Sequence, residues 1–205
     1  MNVVILGTPH GVNVSGKQSP DGRLREYAYG REIVKRLKAE LEADGYTVMV
    51  DIEQDIVPSK QRDELQLRCD IVNRICQKYG PENCVYVSVH VNASGMDGAW
   101  HTPHGWSVYT SVGQTKADKL ADCLWESAKE ILPESMRTLR TDRTDGDVDF
   151  EANLYVLKHT VCAAVLTENF FMDNMNDVEY LESEEGKADL VALHKMGIVR
   201  YVNQL

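Results

Sequence analysis

The sequence predicts an α/β fold in three layers, a mostly parallel mixed sheet of about five to six strands with helices on both faces. Two observations point there. Short runs rich in β-branched residues alternate with longer stretches whose apolar residues recur at helical spacing. The first and last runs, Val3 to Gly7 and Val161 to Thr167, read as strands buried on both sides, as parallel strands under helices must be. The 205 residues are 43% hydrophobic and 26% charged, an ordinary globular balance. No repeat, low-complexity tract or Pro/Ser-rich linker divides them, so one catalytic or binding domain over 1–205 is expected, with no second domain.

Taken in order, Val3 to Gly7 is a strand, and Glu26 to Asp44 a helix with Ile33, Val34, Leu37 and Leu41 on one face before Gly45. Tyr46 to Val50 is the second strand. Ser59 caps a helix whose stripe runs through Leu65, Ile71, Val72 and Ile75 to Gly80-Pro81. Cys84 to Val91 and Trp106 to Ser111 are strands, with a helix from about Thr115 to Glu130. An irregular polar segment precedes the strand Val161 to Thr167. A short helix near Asp177 to Leu181 and a terminal one from about Glu185 to Val202 close the chain.

The formal charge of −10 leaves no source for counterion-release attraction, which excludes nucleic acid as the expected partner. Val161 to Leu166 is the longest apolar run, far short of the ~18 residues that span a bilayer. No basic leader or cleavage site opens the chain, so no signal peptide is expected. The five cysteines include no Cys-x-x-Cys pair, and each is expected to be a buried, inert thiol.

In open α/β sheets, ligands gather beyond the carboxyl ends of the strands. His10 follows the first strand, His90 lies near the end of the third, and Glu168 follows Val165-Leu166-Thr167. On its helix Glu26 falls within about 60° of the apolar stripe, at ~100° per residue. A carboxylate there costs several kcal/mol unless protonated, paired or bound to a cation. Singly, each has an ordinary reading: a loop histidine, a hydrogen-bonded core histidine, an acid in a first helical turn. Together, two imidazoles, a carboxylate and an open water position make a catalytic zinc set. Arg140, Arg143, His101 and His104 lie in two polar loops, where contact with substrate and a solvated rim are equal readings.

These residues resemble the zinc-dependent N-acetylmuramoyl-L-alanine amidases, which cleave bacterial peptidoglycan. The likeness runs through Val3-Val4-Ile5-Leu6 with Pro9-His10-Gly11, then Glu26, and then Arg68 and Asn73 of an Arg-x-x-x-x-Asn helix. It continues through Ser88-Val89-His90-Val91-Asn92-Ala93 and ends at Leu154 to Leu157 and Ala164 to Glu168 with Phe171 and Asn174. One departure stands out. Where the family carries an Asp shortly before the first His and two Gly after it, this chain has Gly7-Thr8-Pro9 before and Gly11-Val12 after, so another group must orient His10.

The resemblance implies Zn²⁺ held by His10, Glu26 and His90, with Glu168 as the catalytic acid and base; Asn92, Arg140 and His104, from the end of the third strand and the two polar loops, are the substrate-binding candidates, and no separate wall-binding domain is expected. It implies cleavage of the amide between N-acetylmuramic acid and L-alanine. Its substrate lies outside the cytoplasmic membrane, which requires either a trimmed leader or a membrane-permeabilising, holin-type release partner. Two alternatives stay open. One is another zinc amide hydrolase, although the carboxypeptidase His-x-x-Glu pair is absent; the other is a silent wall-binding or phage structural module.

Overall fold

The computed structural model describes residues 3–144 and 146–204. In chain order its elements are β1 (Val3–Gly7), α1 (Glu26–Ala43), β2 (Thr47–Val50), α2 (Gln61–Tyr79), β3 (Cys84–Asn92), β4 (Trp106–Thr110) and α3 (Lys116–Ile131). They continue with β5 (Phe150–Glu151), α4 (Tyr155–His159), β6 (Ala163–Phe171), α5 (Met175–Glu182) and α6 (Glu184–Val202). The strands form one sheet in the order β2-β1-β3-β6-β4-β5. β4 runs antiparallel to β6, and every other neighbouring pair among the described residues is parallel. The expected three-layer, mostly parallel mixed sheet is therefore present.

Strand side chains alternate between the two faces. Val4, Leu6, Val85, Val87, Val89 and Val165 enter one core with Ile33, Leu37 and Leu41 of α1, Leu120 and Leu124 of α3, and Leu190, Leu193 and Ile198 of α6. Val3, Ile5, Cys84, Tyr86, Ala164 and Leu166 face the other way, against Cys69, Val72 and Cys76 of α2 and Val156 and Leu157 of α4. Both faces of the central strands are thereby removed from water, which is why their sequences read as continuous apolar runs. No helix among the described residues is long and apolar enough to cross a membrane.

Several details differ from the sequence reading. The last strand begins at Ala163 and continues through Glu168 to Phe171, because the ladder with β3 holds beyond Thr167. The N-cap of α2 is Lys60, without a side-chain cap, instead of Ser59. That helix buries Glu64, Arg68, Cys69, Val72 and Cys76, leaving Leu65, Ile71 and Ile75 half-buried, because its inward face turns toward a buried ion-pair network. The polar segment after α3 contains β5 and α4, too short to leave a periodic signal. Four cysteines are buried as expected, but Cys162 is partly exposed at the turn before β6.

Two local features set the site. His90 pairs with Glu168, but Asn92 pairs with Phe171, so β6 carries one extra residue, with Phe170 at φ 66. Such a bulge bends a strand and re-aims the side chains beside it. Gly30 of α1 lies where a Cβ would meet Pro9 Cδ at 2.3 Å, so a bare backbone lets the helix press on the residue before His10.

Candidate metal centre

Four segments meet at the carboxyl edge of the sheet. The loop after β1 brings His10, the first turn of α1 brings Glu26, β3 brings His90, and β6 brings Glu168 opposite His90. Ligand atoms of His10, Glu26 and His90 all lie within 4.8 Å of one another. The carboxylate sits between the rings, with Oε1 3.0 Å from His90 Nδ1 and Oε2 3.6 Å from His10 Nε2. The two rings stand edge to face at 5.4 Å.

Glu26 is 1% exposed, as its helical position requires. Its Oε1 also accepts the Val91 amide at 3.3 Å, whereas its buried Oε2 accepts no hydrogen bond. Burial opposes its charge, but the His90 hydrogen bond and the nearby histidines outweigh it and hold the pKa below the usual range. Burial also pulls His10 down to about 4, with Glu26 opposing, so its imidazole is neutral at neutral pH and its lone pair is free to coordinate. The buried Oε2 of Glu168 likewise lacks a hydrogen-bond partner. Burial and the charge of Glu26 raise the Glu168 pKa well above its ordinary value, against the pull of Lys17 and Arg140.

A shielded Glu26 oxygen that accepts no hydrogen bond among the described residues, beside two imidazoles, forms with them a donor set that a divalent cation satisfies. Asn169 braces it from behind, donating from Nδ2 to the His90 carbonyl at 2.9 Å while its Oδ1 accepts from Trp106 Nε1 at 2.8 Å.

The remaining candidates are spread more widely. Arg140 lies over the rings of Phe171 at 5.0 Å and Phe150 at 5.7 Å, close enough for its charge to act on Glu168. Asn92 ends β3, but its Oδ1 accepts from the next amide, of Ala93, at 2.8 Å. His104 is exposed, and its charge acts on Asp177. His101 pairs with Asp97 at 2.8 Å, and Arg143 lies over Trp125 at 5.7 Å. Asn73 ties α2 to the turn before β6, donating to the His159 carbonyl at 2.8 Å and accepting from Val161 N at 3.0 Å.

A family model described as N-acetylmuramoyl-L-alanine amidase matches residues 4–200. The chain belongs to this amidase family. It is 30% identical over 118 residues to the N-acetylmuramoyl-L-alanine amidase CwlM of Bacillus licheniformis, covering 58% of this chain and 40% of that protein. It is 26% identical over 203 residues to the endolysin of Bacillus phage SPP1, covering 98% of this chain and 66% of the endolysin. The amidase-family chain thus spans less than two thirds of the length of either curated relative. Its fold is that of the CwlD amidase from Clostridioides difficile, solved with the GerS lipoprotein: the TM-score is 0.78 at 20% identity, with 100% of both chains covered.

Sequence reasoning missed Asp51, Arg31, Lys17 and Asn169. Asp51 directly follows β2, so the strand-end rule that singled out His10 also finds it. Lys17 and Arg31 carry no motif and come near the site only through the path of the loop and helix.

Proposed function

We propose that this chain is a zinc-dependent amidase that hydrolyses the bond between N-acetylmuramic acid and L-alanine in peptidoglycan and acts on the cell wall. The reading rests on one observation above all. A buried glutamate lies between two histidines with an oxygen that accepts no hydrogen bond among the described residues. His10, Glu26 and His90 would hold the ion, leaving a coordination position for water or substrate. When bound, zinc supplies Lewis acidity, easing the deprotonation of water and drawing charge from an amide carbonyl.

The protein's own groups do the rest. Glu168 takes the proton from the attacking water and passes it to the nitrogen of L-alanine as the amide breaks. A raised pKa suits a carboxyl that must both accept and release a proton near neutrality. Its position opposite His90 in the ladder sets it beside the ligands. Arg140, held over two aromatic rings, offers a fixed guanidinium to a stem-peptide carboxylate, and Asn92 and His104 border the same edge. A holin-type partner would be the release route if the chain acts as a lysin.

Glu168→Gln is the direct test. The variant should retain zinc but release stem peptides from purified wall about 10²–10⁴-fold more slowly. Wild-type release by that variant, or wall pelleting without soluble product from the wild type, would overturn the assignment.

A further inference from the structure

His10 stands outside regular structure, three residues beyond β1, with a left-handed backbone at φ 29. A non-glycine residue on such a backbone is held there by surroundings that over-determine the turn. Here they do so through carbonyl groups. Arg31 Nη1 donates to the Pro9 carbonyl and Nη2 to the His10 carbonyl, both at 3.0 Å, and Arg68 Nη2 reaches the His10 carbonyl at 3.4 Å. Downstream, Val12 N donates to the Asp55 carbonyl at 2.8 Å.

Asp51 is where the turn and the Arg68 guanidinium converge. Its Oδ1 accepts from Thr8 N at 3.0 Å and Ile52 N at 2.6 Å. Its Oδ2 accepts from Arg68 Nη1 at 2.7 Å and the Tyr86 hydroxyl at 2.9 Å. Asp51 and Arg68 are each 4% exposed, so this ion pair is shielded from screening. The charge cannot come from the β1 end itself. A Cβ on Gly7 would meet the Tyr86 hydroxyl oxygen at 2.5 Å and Ser88 Oγ at 2.7 Å. With Tyr86 committed to Asp51, the carboxylate that organises the turn has to arrive from the neighbouring strand.

We propose that Asp51 is a positioning residue that, through Arg68 and Thr8, fixes the His10 turn and so aims its imidazole at Glu26 and His90. The inference rests on His10 being a metal ligand. Removing an outer partner of a ligand typically weakens metal binding by 10–100-fold.

The test is zinc affinity, measured by competition with a chromophoric chelator and without reference to catalysis. Asp51→Asn should bind zinc about 10–100-fold more weakly than the wild type. In a His10→Ala background, where no ring remains to be aimed, the same substitution should change affinity by no more than about twofold. A general packing defect would weaken both backgrounds alike, and that result overturns the proposal, as does undiminished affinity in Asp51→Asn. If circular dichroism shows Asp51→Asn unfolded, Arg68→Lys replaces it in both backgrounds, because an ammonium cannot bridge Asp51 and the His10 carbonyl as the guanidinium fork does. If His10→Ala binds zinc as tightly as the wild type, the ligand assignment itself fails, whereas a normal loss there with no effect of Asp51→Asn overturns only the positioning role.

Discussion

At Glu26 the chain accepts a local cost. Its charge is buried, the His90 hydrogen bond to Oε1 and the neighbouring histidines outweigh that burial, and Oε2 accepts no hydrogen bond among the described residues. Glu26→Gln should make the metal-free protein modestly less stable at neutral pH, because the fold holds this carboxyl's pKa below its usual range, and should remove stabilisation by zinc, which for the wild type is about 2.7 kcal/mol at 100 times Kd. Thermal melts with and without zinc check this, and an undiminished zinc response in the variant would refute it. His194 offers a separate check. It is fully buried, contacts Thr167 Oγ1 at 2.9 Å and the Leu190 carbonyl at 2.7 Å, and burial pulls its pKa down to about 4. Its unfolded form takes a proton below the ordinary 6.5 and its folded form only near 4, so folding loses stability through this residue as pH falls across that window. Urea unfolding between pH 7 and pH 4.5 should therefore fall off more steeply for the wild type than for His194→Gln, and parallel slopes would rule this out. The proposed ligands were legible because each is a metal-type side chain at or just past a strand end or on the apolar face of its helix. Asp51 was not, since its importance comes from Arg68 and Tyr86, which only the fold brings to it.

Among the elements, the long ones were readable and the short ones were not. α1 begins at Glu26 and β3 begins at Cys84, both where the sequence pattern places them. Two-residue β5 and five-residue α4 offer no full period, and they form because β4 and α2 supply their partners. The extension of β6 past Thr167 was hidden because Glu168 and Asn169 look like the end of a strand, yet the bulge accommodates them within the ladder. α3 illustrates a local signal that survives folding. Thr115 and Asp118 form a reciprocal capping box, with Ala117 N donating to Thr115 Oγ1 at 3.1 Å and Thr115 N to Asp118 Oδ2 at 2.7 Å. Thr115→Ala should cost about 1 kcal/mol in chemical denaturation while leaving zinc binding unchanged, because the cap lies on an element that supplies no ligand.

For the whole molecule, the proposed metal site is attached to a core built from other residues. Of the four proposed site residues, Glu26, His90 and Glu168 sit on a helix and strands, and His10 on the loop that follows β1, all carried by elements whose apolar faces are filled by their own neighbours. Chelation should accordingly abolish wall hydrolysis while the far-ultraviolet circular dichroism spectrum persists, and added zinc should restore activity. Unfolding on chelation would show instead that the ion is structural. The sheet also has modest rims: β2 at one side is four residues long and β5 at the other only two. Exposed ladders of that length give another copy little to extend, which disfavours fibre-like stacking at high concentration. The working edge can thus stay open to a bulky polymer without making the lateral margins sticky.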